Sequence, residues 1–302
     1  MDTRYLKSLI AVVDCGSIAD AARTEGLTAA AVSQRIQALE RHFGFALLSR
    51  VGHAAKASDA CLGLLPRARQ IVREVGLLAG DADPARLTGT LRIGAISTVL
   101  TGLMPAALLA LTQQAPGIKP AILPGTSRAL YQSLHDGELD VAILVAPPFE
   151  LPKMMRAVSL RKERLVLLSK QKTRDSITTV LRQQPYIRYD PHAWGGRHAV
   201  KYLEENGLQP ATLFDLDALE AIAMLVADGV GVSLVPDWHG LKRLAPDCRI
   251  TPIAASASAS PGQYDREIIL LTNTRTERPG MVTALTRAAL SCPGFGGLGG
   301  KN

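Results

Sequence analysis

The chain has 302 residues, 47% of them apolar, and a formal net charge of +7: room for two or three domains, with a balance that suits polyanions as well as ordinary solvated surfaces. Four scattered cysteines (Cys15, Cys61, Cys248, Cys292) show no CxxC or Cys/His ligand spacing, which argues against a metal motif and for reduced thiols. No leader-like opening and no membrane-length apolar run occur, so a soluble, cytoplasmic protein without a membrane partner is expected.

In chain order, residues 5–15 place Leu6, Leu9, Ile10 and Val13 on one helical face, with Cys15 also assigned to an apolar face, and Gly16 ends the helix. Ser17 is a good N-cap for a short helix of small residues, Ile18, Ala19, Ala21 and Ala22. Gly26 supplies a tight break, and Thr28 caps a second helix on which Val32, Ile36, Leu39 and Phe43 share a face. Two short helices across a glycine turn predict a helix-turn-helix, its second helix destined for a DNA major groove. The opposite face carries Ala30, Gln34, Gln37 and Arg41, with Ser33 at its flank and Thr28 at the exposed start. Glutamine reads adenine through two hydrogen bonds, while arginine and serine hold phosphate. Residues 45–56 predict a two-stranded wing, anchored by Leu47 and Leu48 and turning at Gly52, with Arg50, His53 and Lys56 near the DNA backbone.

Ser58 caps the next helix. Cys61, Leu65, Ala68, Val72, Val75 and Ala79 form a heptad seam on it, widened by Leu64, Ile71 and Leu78. Such a helix beside a small domain predicts pairing with a second copy, and Pro66 inside it predicts a kink or a lost hydrogen bond. Residues 81–88 read as a hinge. From Gly89 onward strands (91–96, 119–123, 140–146, 158–169 broken at 161–163, 185–189, 211–216, 231–235, 264–273) alternate with helices (97–115, 126–135, 196–206, 217–227, 280–290). That order predicts an α/β sheet with parallel connections. Residues 254–260 read as a flexible loop and 293–302 as a disordered tail.

The motifs also carry a family resemblance. They run L-x-x-L-I-A-V-V-x-x-G-S-I-A-x-A-A (6–22), A-V-S-Q-R-I-Q-A-L-E (31–40), F-G-x-x-L-L-x-R (43–50), L-L-P-x-A-R-x-I (64–71), L-R-I-G (91–94), G-E-L-D-V-A-I (137–143) and V-A-D-G-V-G-V-S-L-V-P (226–236). In this order and spacing the chain resembles the LysR-type transcriptional regulators from residue 5 to residue 290. The resemblance implies an N-terminal winged helix-turn-helix, a long linker helix and an α/β effector domain of two subdomains, periplasmic-binding-protein-like (type 2). It implies as partners double-stranded DNA, a small-molecule effector, a second copy (a dimer, and a dimer of dimers) and RNA polymerase. The corresponding division is 1–58 for DNA binding, 59–88 for the dimerising helix and hinge, and 89–292 for the effector domain. Within the last, 89–162 plus 267–292 form one subdomain and 163–266 the other. Departures from the family pattern are Ala29 and Ala30 at the start of the recognition helix, a wing left with His53 and Lys56, and Ser58, Asp59 and Cys61 opening the linker helix. These bear on DNA sequence preference rather than on class.

In such a fold the effector sits between subdomains at the carboxyl ends of strands. Those ends carry Ser97 and Thr98; Gly125, Thr126 and Ser127; Val145 and Ala146; then Asp190, His192 and Trp194. Hydroxyls and free amides at helix starts favour a small organic anion. No metal and no cofactor besides that effector are expected. An enzyme on the same frame lacks its signatures here: GxSxG, GxxxxGK[ST], HExxH and a GxGxxG after a strand are all missing. A solute-binding transport protein is opposed by the N-terminal helices and the missing leader.

Overall fold

A computed structural model describes residues 2–51, 54–81, 87–170, 175–253 and 262–292. The chain forms two compact units, Met1–Arg86 and Leu87–Asn302.

The first unit contains α1 (Thr3–Cys15), α2 (Ile18–Glu25), α3 (Ala29–Phe43), the antiparallel hairpin of β1 (Leu48–Val51) and β2 (Ala54–Ala57), and α4 (Asp59–Asp81). Side chains set the helix starts: Ser17 accepts from the Asp20 amide, Thr28 from the Ala31 amide and Ser58 from the Cys61 amide. Gly26, at φ 65°, ends α2 in the left-handed region and lets the chain turn into α3. The core joins Leu6, Leu9 and Val12 to Ala21, Ala22, Val32, Ile36, Leu39 and Leu47. The buried stripe of α1 is rotated from the expected one: Val12 is buried and Ile10 and Val13 only half so. The reason is polar. Ser8 is fully buried, donating to Glu25 Oε2 (2.5 Å) and accepting from Arg35 Nη1 (3.0 Å), so a hydroxyl lies at the centre of the packed face. This network ties α1, α2 and α3 together. Glu40 Oε1 accepts from the amides of Leu47 (2.8 Å) and Leu48 (3.2 Å), fixing the hairpin on α3.

The heptad seam divides in two. Cys61, Leu65 and Ala68 are buried, and Leu64, Ile71 and Val72 pack against the core of their own unit. Among the seam side chains described, Val75 (44% exposed) and Leu78 (65%) remain open. The expected self-association face is therefore shortened, because α4 first completes the helix-turn-helix core against α1. The helix continues through Pro66, which has no N–H to offer the Leu62 carbonyl. Cys15, expected on an apolar face, is exposed.

The second unit begins with β3 (Gly89–Ala95), α5 (Ser97–Thr101), α6 (Met104–Gln114), β4 (Ile118–Pro124), α7 (Ser127–His135), β5 (Val141–Val145) and β6 (Met155–Glu163). It continues with β7 (Leu165–Ser169), α8 (Ile177–Gln183), β8 (Tyr186–Tyr189), α9 (Arg197–Glu205), β9 (Thr212–Leu216), α10 (Leu219–Asp228), β10 (Ser233–Pro236), α11 (Leu241–Leu244) and β11 (Arg249–Pro252). It closes with β12 (Arg266–Asn273) and α12 (Pro279–Ser291). One lobe is built on a five-stranded sheet ordered β4-β3-β5-β12-β6. The other carries β10-β7-β11 and β8-β9, linked by a parallel bridge between Tyr186 and Val232. The chain passes between lobes at Arg164, where β6 gives way to β7, and again where it enters β12.

The expected parallel connections hold for only part of the sheets. β3 runs parallel to β4 and β5, and β8 to β9, but β12 is antiparallel to β5 and β6, and β7 to β10 and β11. The run of residues 165–168 is continuously apolar because both faces are covered: Leu165 and Leu167 pack into one cluster, Val166 and Leu168 into another. The helix expected over 97–115 breaks in two at Gly102. A Cβ there would lie 2.1 Å from the His239 carbonyl oxygen, so the close approach of that loop requires glycine. α8, α11 and β11 are too short to show a period. The predicted loop at 254–260, the tail at 293–302 and most of the predicted hinge lie outside the described residues.

Candidate DNA-contact face and effector cleft

In the first unit α3 turns Val32, Ile36 and Leu39 inward and leaves Gln34, Gln37 and Arg41 exposed, with Ser33 half-buried. Gln34 and Gln37 are one helical turn apart and make no side-chain hydrogen bond among the described residues, so their amides are free to read base edges. Thr28 is exposed, but its hydroxyl is already the cap of α3, accepting from Ala31 at 3.2 Å. Lys56 is exposed on β2, directly opposite Ser49 in the hairpin register. Arg50 pairs with Ala55 in the same register, and His53 lies outside the described residues.

In the second unit a cavity of about 770 Å³ opens at the ends of β3, β4, β5, β8 and β9. One wall comes from the first lobe: Ser97 and Thr98, then Gly125, Thr126, Ser127 and Arg128, then Val145. The other comes from the second lobe: Tyr189, Asp190, His192 and Trp194, then Asp217 to Leu219. Ala146 is not part of the wall. Its amide and carbonyl are used instead by Glu267 and Arg197. Among the lining residues that escaped the sequence reading are two charged ones, Asp217 and Arg266. Asp217 directly follows β9, a strand end to which the same rule applied. Arg266 begins β12, and the start of an antiparallel strand lies at the same sheet edge as the ends of its parallel neighbours.

The hydroxyls in this cavity are unequal. Thr126 caps α7, accepting from Ala129 at 3.3 Å; Ser127 is buried and accepts from the Val145 amide at 3.1 Å. Both keep their own proton for a ligand. Ser97 donates to Glu220 Oε2 at 3.1 Å, and Thr101 donates to its Oε1 at 3.1 Å. A carboxylate from the second lobe therefore holds the start of α5, although no acidic residue neighbours it in sequence. Thr98 is buried and accepts from Arg266 Nη2 at 3.1 Å. Arg266, only 2% exposed, donates through Nε to Glu163 Oε2 at 2.6 Å and forms an ion pair at the cavity floor.

Trp194 comes from the loop after β8. It is buried in the core of the first lobe, making edge contacts with Tyr131 (5.8 Å between centroids) and Phe149 (5.6 Å). A side chain from the second lobe is thus a latch in the first. His192 is exposed, and its backbone amide donates to Asp190 Oδ1 at 2.8 Å. Among the described residues no cluster of three or more His, Cys, Asp or Glu side chains has metal-binding geometry, and no helix is long and apolar enough to cross a membrane.

Two family models match. Residues 3–62 match "Bacterial regulatory helix-turn-helix protein, lysR family", and residues 84–291 match "LysR substrate binding domain". The chain is 27% identical over 249 residues to the regulator TtuA of Agrobacterium vitis, covering 79% of this chain and 81% of that one. It is 24% identical over 273 residues to the regulator ClcR of Pseudomonas putida, covering 86% and 91%. In fold it is similar to a full-length OxyR variant from Pseudomonas aeruginosa (19% identity, TM-score 0.68, 98% and 99% of the two chains). It is also similar to CbnR bound to its target DNA (21% identity, TM-score 0.65, 95% and 100%). With both family models matched and both units built as described, the chain belongs to the LysR family: it is a DNA-binding transcriptional regulator with an effector-binding domain, not an enzyme.

Proposed function

We propose that this regulator reads its operator through Gln34 and Gln37 and holds the phosphate backbone through Ser33, Arg41, Arg50, His53 and Lys56. Its output is set by a small organic molecule, with an anionic group, seated in the cleft between the lobes. The observation that carries the ligand reading is the 770 Å³ cavity at the strand ends. On one side it has the first turn of a nine-residue helix with free amides, hydroxyls on Thr126 and Ser127, and the Arg128 guanidinium. Small ligands favour such crevices in α/β folds.

The protein acts as a dimer or dimer of dimers in the cytoplasm, contacts RNA polymerase, and needs no metal or cofactor besides its effector. The exposed Val75 and Leu78 on α4 support self-association, since two apolar side chains three residues apart face water in the single chain. The test is selection of bound sequences from a random DNA pool, followed by footprinting of the winner with and without a carboxylate library. A dyad-symmetric site whose footprint changes with one compound is the expected result. Salt-dependent binding with no sequence preference would refute the operator reading.

A further inference from the structure

The cavity is electrically divided. On the first-lobe wall the one charged side chain among the described residues is Arg128, beside the start of α7. On the second-lobe wall the charged side chains are Asp190 and Asp217, with no lysine or arginine. Arg266, at the floor, is paired with Glu163 at 2.6 Å, a carboxylate that Arg161 also approaches at 3.7 Å. A simple carboxylate would satisfy the first wall and leave two carboxylates facing it from the second. Asp217 makes no hydrogen bond among the described residues, and Asp190 commits one oxygen to the His192 amide. Desolvation, and then the charge of Asp190, hold the Asp217 carboxyl above its usual range, against the opposing pull of Arg266. A cation placed at that wall offsets the repulsion between the two carboxylates and favours their charged forms.

Resting on the reading of this cavity as the effector site, we propose that the effector is a zwitterion, its anionic group against the start of α7 and Arg128 and its ammonium group against Asp190 and Asp217. Amino acids and longer amino-carboxylates belong to this class, and the cavity volume accommodates them. Because the two walls belong to different sheets, such a ligand ties one lobe to the other, whereas a plain anion touches one wall only.

The test uses the full chain and matched probes: 4-aminobutyrate, butyrate and butylamine; phenylalanine, 3-phenylpropionate and phenethylamine; and the other common amino acids. Melting temperature and calorimetry read binding, since a ligand specific to the folded state raises its stability. The expected result is that at least one zwitterion binds and its carboxylate-only and amine-only partners do not. Asp217→Asn and Asp190→Asn, which keep volume and the acceptor for the His192 amide, each weaken that zwitterion about tenfold or more, and Arg128→Ala weakens it too. Carboxylates that bind as well as their amino counterparts, with loss on Arg128→Ala alone, would overturn the zwitterion and leave the anion site standing. Zwitterion binding that both Asp variants leave unchanged would overturn it as well. Silence from every probe would overturn the zwitterion and the anion reading together, leaving DNA binding untouched.

Discussion

Replacing Glu163 by Gln tests the floor of the cleft. Arg266 is 2% exposed and its charged partner at 2.6 Å is Glu163; the Thr98 hydroxyl beside it is neutral. Glutamine keeps the shape and removes the charge, which leaves a guanidinium in a desolvated site. Breaking a buried pair in this way costs about 3–5 kcal/mol. Thr98→Val removes one acceptor from the same cation and costs about 1.5–3 kcal/mol, so it is not the silent change that its small size suggests. Replacing both partners, Glu163→Leu with Arg266→Met, restores part of the loss, because the Arg266 charge is gone while Arg161, 3.7 Å from Glu163, still loses that carboxylate. Urea unfolding followed by tryptophan fluorescence measures this cleanly. Both tryptophans, Trp194 and Trp238, lie in the Leu87–Asn302 unit, so the signal reports that unit alone. Stability of Glu163→Gln within about 1 kcal/mol of the parent chain would refute the argument: water or another anion would then be serving Arg266.

Gln34→Ala should cost about 1–3 kcal/mol at the cognate operator and little on random DNA, read by fluorescence anisotropy; equal loss on both would mean that α3 presents another face. Leu78→Asp, which changes an exposed side chain, should shift sedimentation toward monomer with the melting temperature held. Val72→Asp should instead lower the stability of the first unit, since half-buried Val72 packs against its core. His198 has its pKa lowered to about 4 by burial, and further by Arg197, Arg266 and Lys201. Its ring is neutral in both states above the unfolded value of 6.5 and is protonated only in the unfolded chain between there and about 4. Stability of the second unit should therefore fall as pH drops through that window. The full gap corresponds to about 3 kcal/mol, of which solvent screening of the partly exposed ring leaves about half. His198→Gln should flatten that part of the profile in urea titrations at stepped pH.

The helix-turn-helix was legible because its signals are local. Ser17 and Thr28 cap, Gly26 turns, and the spacing of Val32, Ile36 and Leu39 settles which face is buried, so the exposure of Gln34, Gln37 and Arg41 follows without any long-range information. The same logic placed Thr126 at the start of α7 and gave the β3, β4 and β5 ends as one wall of the cleft. Where two segments far apart in sequence compete for one surface, the local rules failed. The face of α4 reads as a heptad seam, yet its first half is taken by α1, and nothing in its spacing says whether the partner is the same chain or a copy. Ser8 looks like a break in an apolar stripe until Glu25 and Arg35 arrive to satisfy it.

What the sequence by itself determined is therefore class, order of elements and the residues at helix starts, all of which follow from hydrogen bonding and periodicity over a few residues. Tertiary structure alone decided the chemistry of the cleft. Glu220 reaches Ser97 across 123 positions, Glu163 meets Arg266 across 103, and Asp190 and Asp217 share a wall although they follow different strands. Charge acts through distance in space, and the double crossing between lobes brings these groups together with no periodic trace in the chain.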